Sequence, residues 1–195
     1  MQEEREAVVR QERKRVGMPI RILAYTAVLT ALSVVANIFD ITYGPSNAQR
    51  FSVTYFINFV SGAFLGPFSG FLTGLIGDLL GFWIKPSGDF NPIIMAASAL
   101  SGLIPGLVFF FFRGKDKQIK YPIVAAIVSM ILVFLICSSL NTVGLYVYYF
   151  RAKGRTLGAV FALRALPQTI SWVINAFLSV SLYLPLKKML KLENA

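Results

Sequence analysis

The sequence contains no histidine, a single cysteine, and nine acidic residues against nineteen basic ones in 195. Without histidine there can be no Ser-His-Asp triad and no His-ligated metal, and so no zinc-dependent intramembrane protease. Cys137 cannot close an internal disulfide, and its place inside an apolar run reads as a small packing residue. A Walker phosphate loop is missing too: the glycines between 70 and 81 are not followed by the Lys-Ser/Thr pair that cradles phosphate. The chain therefore carries no ATPase engine of its own, and nothing in it resembles a Ser-Lys or paired-carboxylate centre. Charge is sparse at 14% of residues and falls into a few clusters.

What fills the space between those clusters is apolar. The chain is 56% hydrophobic with a mean hydropathy of +0.66, above the roughly 45–50% apolar content of soluble domains. A membrane-crossing helix takes about 20 apolar residues, and six such runs use nearly the whole chain. Spans are predicted over residues 20–39, 51–65, 68–83, 92–112, 121–150 and 157–186. The turns between them are the polar stretch 40–50, Gly66-Pro67, the loop 85–91, and the basic loops 113–120 and 151–156. A kink is expected in the fourth span around Gly102, Pro105 and Gly106.

The expected fold is an all-α integral membrane protein of six transmembrane helices in one domain. Residues 1–19 form a cytoplasmic segment, 20–186 the bundle, and 187–195 a cytoplasmic tail. The N-terminal stretch mixes Glu3, Glu4, Glu6 and Glu12 with its basic residues and is followed by no small-residue cleavage pattern. It reads as retained rather than as a signal peptide.

Orientation follows from where lysine and arginine fall. With the N-terminus inside, thirteen lie on inner segments and five on outer loops, which places both termini in the cytoplasm. The basic residues flank apolar runs and form no continuous face, so the net charge of +10 does not indicate nucleic acid. The outer cluster Arg151, Lys153 and Arg155 runs against the positive-inside trend. It suits either an anionic ligand or anionic lipid headgroups.

Ionisable residues inside spans are costly and point to function. Asp78 lies in the third span and Arg164 in the sixth, both expected in the outer half, either paired with each other or lining one pocket. Arg164, Pro167 and Gln168 share a helical face at i, i+3 and i+4. A guanidinium forks onto a carboxylate or ring carbonyl, and an amide reads either donors or acceptors. Asn141, with Thr142, interrupts the fifth span at a similar level, and Asn91 beside Pro92 is either a helix cap or a ligand contact. Aromatics crowd the outer ends, among them Tyr55, Trp83, Phe90, Tyr146 and Phe161. They serve as an interfacial belt or as stacking surfaces for a flat ligand. Ala27 and Ala31 form a small-residue stripe on the first span, suited to close packing within the bundle or to docking another membrane protein.

Residues 20–190 resemble the substrate-binding S components of energy-coupling factor (ECF) vitamin transporters. The resemblance rests on size, six spans, the Ala27–Ala31 stripe, GPFSGFLTGLIGDLLG at 66–81 and SALSGLIPGLVF at 98–109. SLNTVGL at 139–145 followed by R-x-x-P-Q at 164–168 is similar to the folate branch. The resemblance implies a subunit of the bacterial cytoplasmic membrane that captures its vitamin in an outer pocket capped by loop 40–50. It implies docking through Ala27 and Ala31 onto an EcfT transmembrane subunit, ATP consumed by two EcfA-type ATPases, and no cofactor on this chain. Folate is then the expected ligand. Its pterin would meet Asp78, Asn141, Arg164, Gln168 and the aromatics, while Arg50, Lys85, Arg151, Lys153 and Arg155 would face its anionic glutamate. The alternatives are an S component for another vitamin or a pyrimidine-like precursor and, further off, a stand-alone carrier or a lipid-modifying enzyme.

Overall fold

Polar residues recur along the first helix at positions 26, 30, 33 and 37, a spacing that lines them on one face. In the computed structural model, α1 (Ile20–Ile38) buries Thr26, Ser33 and Asn37 and turns Leu23, Val28, Leu32 and Val35 outward. A helix that hides hydroxyls and exposes leucine and valine is built for a surround as apolar as its own side chains. Ala27 and Ala31 lie on that outward face, exposed. The structure describes residues 20–43, 49–86, 88–112 and 120–190, without the side chains of 42, 43, 49, 50, 120 and 188–190. The expected cytoplasmic segment 1–19, most of the basic loop 113–120 and the end of the tail lie outside the described residues.

The stretch expected as a plain loop contains a two-stranded antiparallel ribbon. Strands β1 (Ile41–Tyr43) and β2 (Gln49–Phe51) pair Ile41 with Phe51 and Tyr43 with Gln49. Because Phe51 belongs to that ribbon, the next helix starts later than predicted. Helix α2 (Thr54–Val60) continues as a π-helical turn over Ser61–Leu65. Gly66, at φ 101°, then makes a turn that a side chain would strain, and Pro67 opens α3 (Pro67–Ile84) at a position where its missing N–H is harmless. Helix α4 (Pro92–Phe112) stays helical through Pro105. Helix α5 (Lys120–Leu145) runs on into a π-helical turn over Tyr146–Phe150, and α6 (Leu157–Leu190) carries Pro167 and Pro185 in its interior. Five of these helices are long and apolar enough to cross a membrane, whereas Thr54–Leu65 is shorter.

Helix α4 packs most extensively against α3 and α5, and α1 against α3. Glycine sets the closeness of the α3–α4 seam: a Cβ on Gly70 would run into the Gly102 carbonyl, and one on Gly102 into that of Gly70. Such small-residue seams let backbones touch where lipid gives no hydrophobic drive to associate. At one end of the bundle the core is dry and aromatic. Tyr183 stacks between Phe64 and Phe109, with centroids 5.1 and 5.0 Å away, and Phe59 meets Phe109 edge-on. At the other end the helices part around a cavity.

Candidate functional site

Each helix that lines the cavity brings a polar group to it. Helix α1 gives Asn37 and α2 gives Asn58; α3 gives Asp78, α4 Ser98 and Ser101, and α5 Asn141. Helix α6 adds Arg164, Gln168 and Trp172, and Ser52, Thr54 and Tyr55 enter from the junction between ribbon and α2. Aromatic walls come from Phe82, Phe90, Phe134 and Trp172. The Trp172 indole N–H donates to the Met130 carbonyl at 2.7 Å, fixing the ring, and Phe134 lies 4.9 Å from it.

The α5–α6 wall holds the cation. Arg164 is 7% exposed. Its Nη1 donates to the Thr142 hydroxyl at 3.1 Å, and that hydroxyl donates to the Ser138 carbonyl at 2.8 Å. Gln168 Nε2 reaches the same carbonyl at 3.4 Å. Asp78, across the cavity, accepts from Asn37 Nδ2 at 3.3 Å. Asp78 and Arg164 thus share one cavity without pairing: among the described residues, the guanidinium meets a hydroxyl and no carboxylate. A buried cation with so little compensation is expensive unless something else supplies negative charge or carbonyl oxygen.

On the α1–α2–α4 side the polar groups are paired. Ser33 donates to Asn58 Oδ1 at 3.2 Å, and Asn58 Nδ2 donates to Ser101 Oγ at 2.7 Å. Asn175 joins α6 to the ribbon–α2 junction, donating to the Ser52 carbonyl at 2.7 Å and accepting from the Phe56 N–H at 3.0 Å. The rim is tied as well. Lys85 Nζ donates to the Ile38 carbonyl at 2.8 Å, and the Asp89 N–H donates to the Tyr149 hydroxyl at 2.6 Å. Among the described residues, two buried groups in the wall lack partners, Asn91 Nδ2 and Asn141 Oδ1. The arrangement can bind a flat, hydrogen-bonding ligand with negative or carbonyl character toward α6. Among the described residues, no cluster of acids and cysteine could hold a metal ion.

The model of the family described as "ECF transporter, substrate-specific component" matches residues 21–187. The chain belongs to that family. It is a multi-pass membrane protein, and like other S components it is a substrate-binding transport subunit, not an enzyme. A comparison with curated proteins finds no match. Among solved structures the S component is similar to FolT bound with folic acid, at 23% identity over 83% of this chain and 95% of that one, with a TM-score of 0.58. It is also similar to the S component of a bacterial ECF transporter, at 20% identity over 88% of this chain and 98% of the other, with a TM-score of 0.65. At these identities the likeness establishes the fold.

Of the residues singled out in the sequence, the S component's cavity brings together Arg164, Gln168, Asn141, Asp78 and Asn91, with Tyr55, Lys85 and Phe90 beside them. The others lie elsewhere. Trp83 is 69% exposed on the outside of α3, because the cavity-facing position in that turn is Phe82. Phe161 is 38% exposed on α6, about one turn before Arg164, and does not line the cavity. Tyr146 packs beside Phe150 and Val160. Arg151 and Lys153 sit exposed on the turn between α5 and α6, and neither lines the cavity. The Arg50 backbone belongs to β2, and its side chain lies outside the described residues. Asn37, Asn58, Ser98, Ser101 and Trp172 were not anticipated. The only trace of them in the sequence is a polar or indole residue recurring every three or four positions in otherwise apolar helices.

Proposed function

We propose that this S component binds a folate with high affinity from outside the cell and delivers it to an ATP-driven ECF importer of the bacterial cytoplasmic membrane. The observation that carries the reading is Arg164, a buried guanidinium on the cavity wall with a hydroxyl and, among the described residues, no carboxylate as partner. Folate offers what that wall lacks. Its pterin is flat enough for the Phe134–Trp172 corner and rich in in-plane donors and acceptors, and its oxygens suit the guanidinium and Gln168. The fold shared with FolT supports the same choice.

In this reading α2 with its π-helical extension completes six crossings, both termini are cytoplasmic, and the ribbon caps the cavity. Arg151 and Lys153 are exposed and do not line the cavity. They act at the rim, by drawing in the anionic glutamate. The exposed Ala27–Ala31 face docks onto an EcfT subunit whose two EcfA-type ATPases supply the energy.

Titration of the purified protein with folic acid and 5-formyltetrahydrofolate tests the ligand. Saturable binding below the micromolar range is expected, and its absence overturns the folate assignment. Replacing Ala27 and Ala31 together with leucine should leave that binding intact and stop uptake in cells that express the whole transporter. Unchanged uptake would place docking on another face.

A further inference from the structure

Asn91 stands at the N-terminus of α4 and is 7% exposed. Its Oδ1 accepts from the Ile93 N–H at 3.0 Å and from the Ile94 N–H at 3.4 Å, a side-chain cap on the helix. A cap must be an oxygen, so the orientation of this amide is fixed by chemistry. Its Nδ2 therefore faces away from the helix, buried and, among the described residues, without a partner. It lies against α5 where Gly144 leaves room; a Cβ there would come within 3.2 Å of Nδ2. Asn141 is three residues earlier, on the same face of α5. Its Nδ2 donates to the Tyr55 hydroxyl at 2.7 Å, while its Oδ1 is buried and unpartnered. Both residues line the cavity.

Buried polar groups in folded proteins are almost always paired, and an unpaired one is costly. Here, among the described residues, two residues of one cavity wall have a donor and an acceptor left over, the donor beside Gly144 and the acceptor on Asn141 three residues earlier in the same helix. Resting on the folate reading, we propose that Asn91 and Asn141 form a selecting edge for a cyclic amide, a ring carbonyl beside a ring N–H. The carbonyl oxygen accepts from Asn91 Nδ2, and the adjacent N–H donates to Asn141 Oδ1. A ring that presents the reverse order, an amino group beside a bare ring nitrogen, sets donor against donor and acceptor against acceptor.

Folic acid and aminopterin provide the test, because they differ only in this respect. The 4-oxo group and neighbouring N–H of one become a 4-amino group and a bare nitrogen in the other. Wild-type protein should bind folic acid more tightly than aminopterin by about 100-fold or more, as sites built around hydrogen bonds reject mismatched analogues. Asn91→Asp keeps the cap oxygen and turns the free donor into an acceptor, which leaves each ligand one match and one mismatch, so the preference should collapse to within about tenfold. The ratio of the two affinities does not depend on how much of the variant is folded. Asn141→Leu removes the acceptor and should lose roughly tenfold or more of the affinity for folic acid, and Asn141→Asp, which retains one, should lose less than Asn141→Leu. Equal affinity of the wild type for both ligands, or an unchanged ratio in Asn91→Asp, would overturn the edge while leaving the folate assignment standing. If Asn91→Asp does not fold, the wild-type ratio and the Asn141 pair decide. If the wild type binds neither compound, the folate reading fails and the edge falls with it.

Discussion

The two ends of this bundle are built from the same helices by opposite rules. At one end Phe59, Phe64, Phe109 and Tyr183 fill the space among the helices with stacked rings, backed by Ala125, Ala126 and Met130. At the other, the same helices carry Asn58, Ser101, Asn141 and Arg164, and leave a cavity whose hydrogen bonding is incomplete among the described residues. The dry end has every reason to stay as it is. The cavity end holds a poorly compensated guanidinium and unpaired amide groups, each of which costs stability in the absence of ligand. Affinity and stability are thus invested at separate ends, and substitutions should separate them.

The largest effect is expected from Arg164→Ala. Affinity should fall by at least about 100-fold, equivalent to about 2.7 kcal/mol, while the melting temperature in detergent stays level or rises because a buried charge has gone. A clear drop in melting temperature with affinity kept would make Arg164 a structural residue. Next comes Phe109→Ala at the dry end. In lipid the transfer contribution largely vanishes and the cavity term remains, about 2 kcal/mol for a void near 100 Å³. Thermal melting should register that loss, and the protein that remains folded should bind its ligand normally. Weakened binding in the folded fraction would show that the two ends are coupled. The smallest effect belongs to Trp172, which lies at the boundary. Trp172→Phe removes one hydrogen bond to the Met130 carbonyl, worth about 1 kcal/mol. It should lower melting temperature and affinity together, each modestly, and a change in only one of them would assign the residue to one end.

Much of this division was legible in the sequence, and the misses have physical causes. Long apolar runs bounded by charge placed the helices to within a few residues, since lipid leaves little choice of structure for such segments. Arg164, Asp78 and Asn141 stood out because ionisable and amide groups are rare in spans, and the cavity gathers all three. Serines did not stand out. Ser101 and Ser33 are small enough to be either packing or lining residues, and only the crossing of α1, α2 and α4 makes them a chain of hydrogen bonds around Asn58. Trp83 was misleading for the converse reason. An aromatic near a helix end suits a ligand wall or a lipid interface equally well, and a shift of one residue along α3 puts Phe82 inside and Trp83 outside. The ribbon escaped notice because three residues per strand is too short for alternation to show. Pairing Phe51 into it also delays the start of α2, which shortened the predicted second span.

The most direct test of the account is the identity of the molecule the cavity holds in its own membrane. The protein should be purified natively without added vitamin, and the extracted ligand identified by mass spectrometry, with Arg164→Ala prepared in parallel. A folate in near-stoichiometric amount with the wild type, and little with the variant, is the predicted result. A different compound present at the same stoichiometry would contradict it.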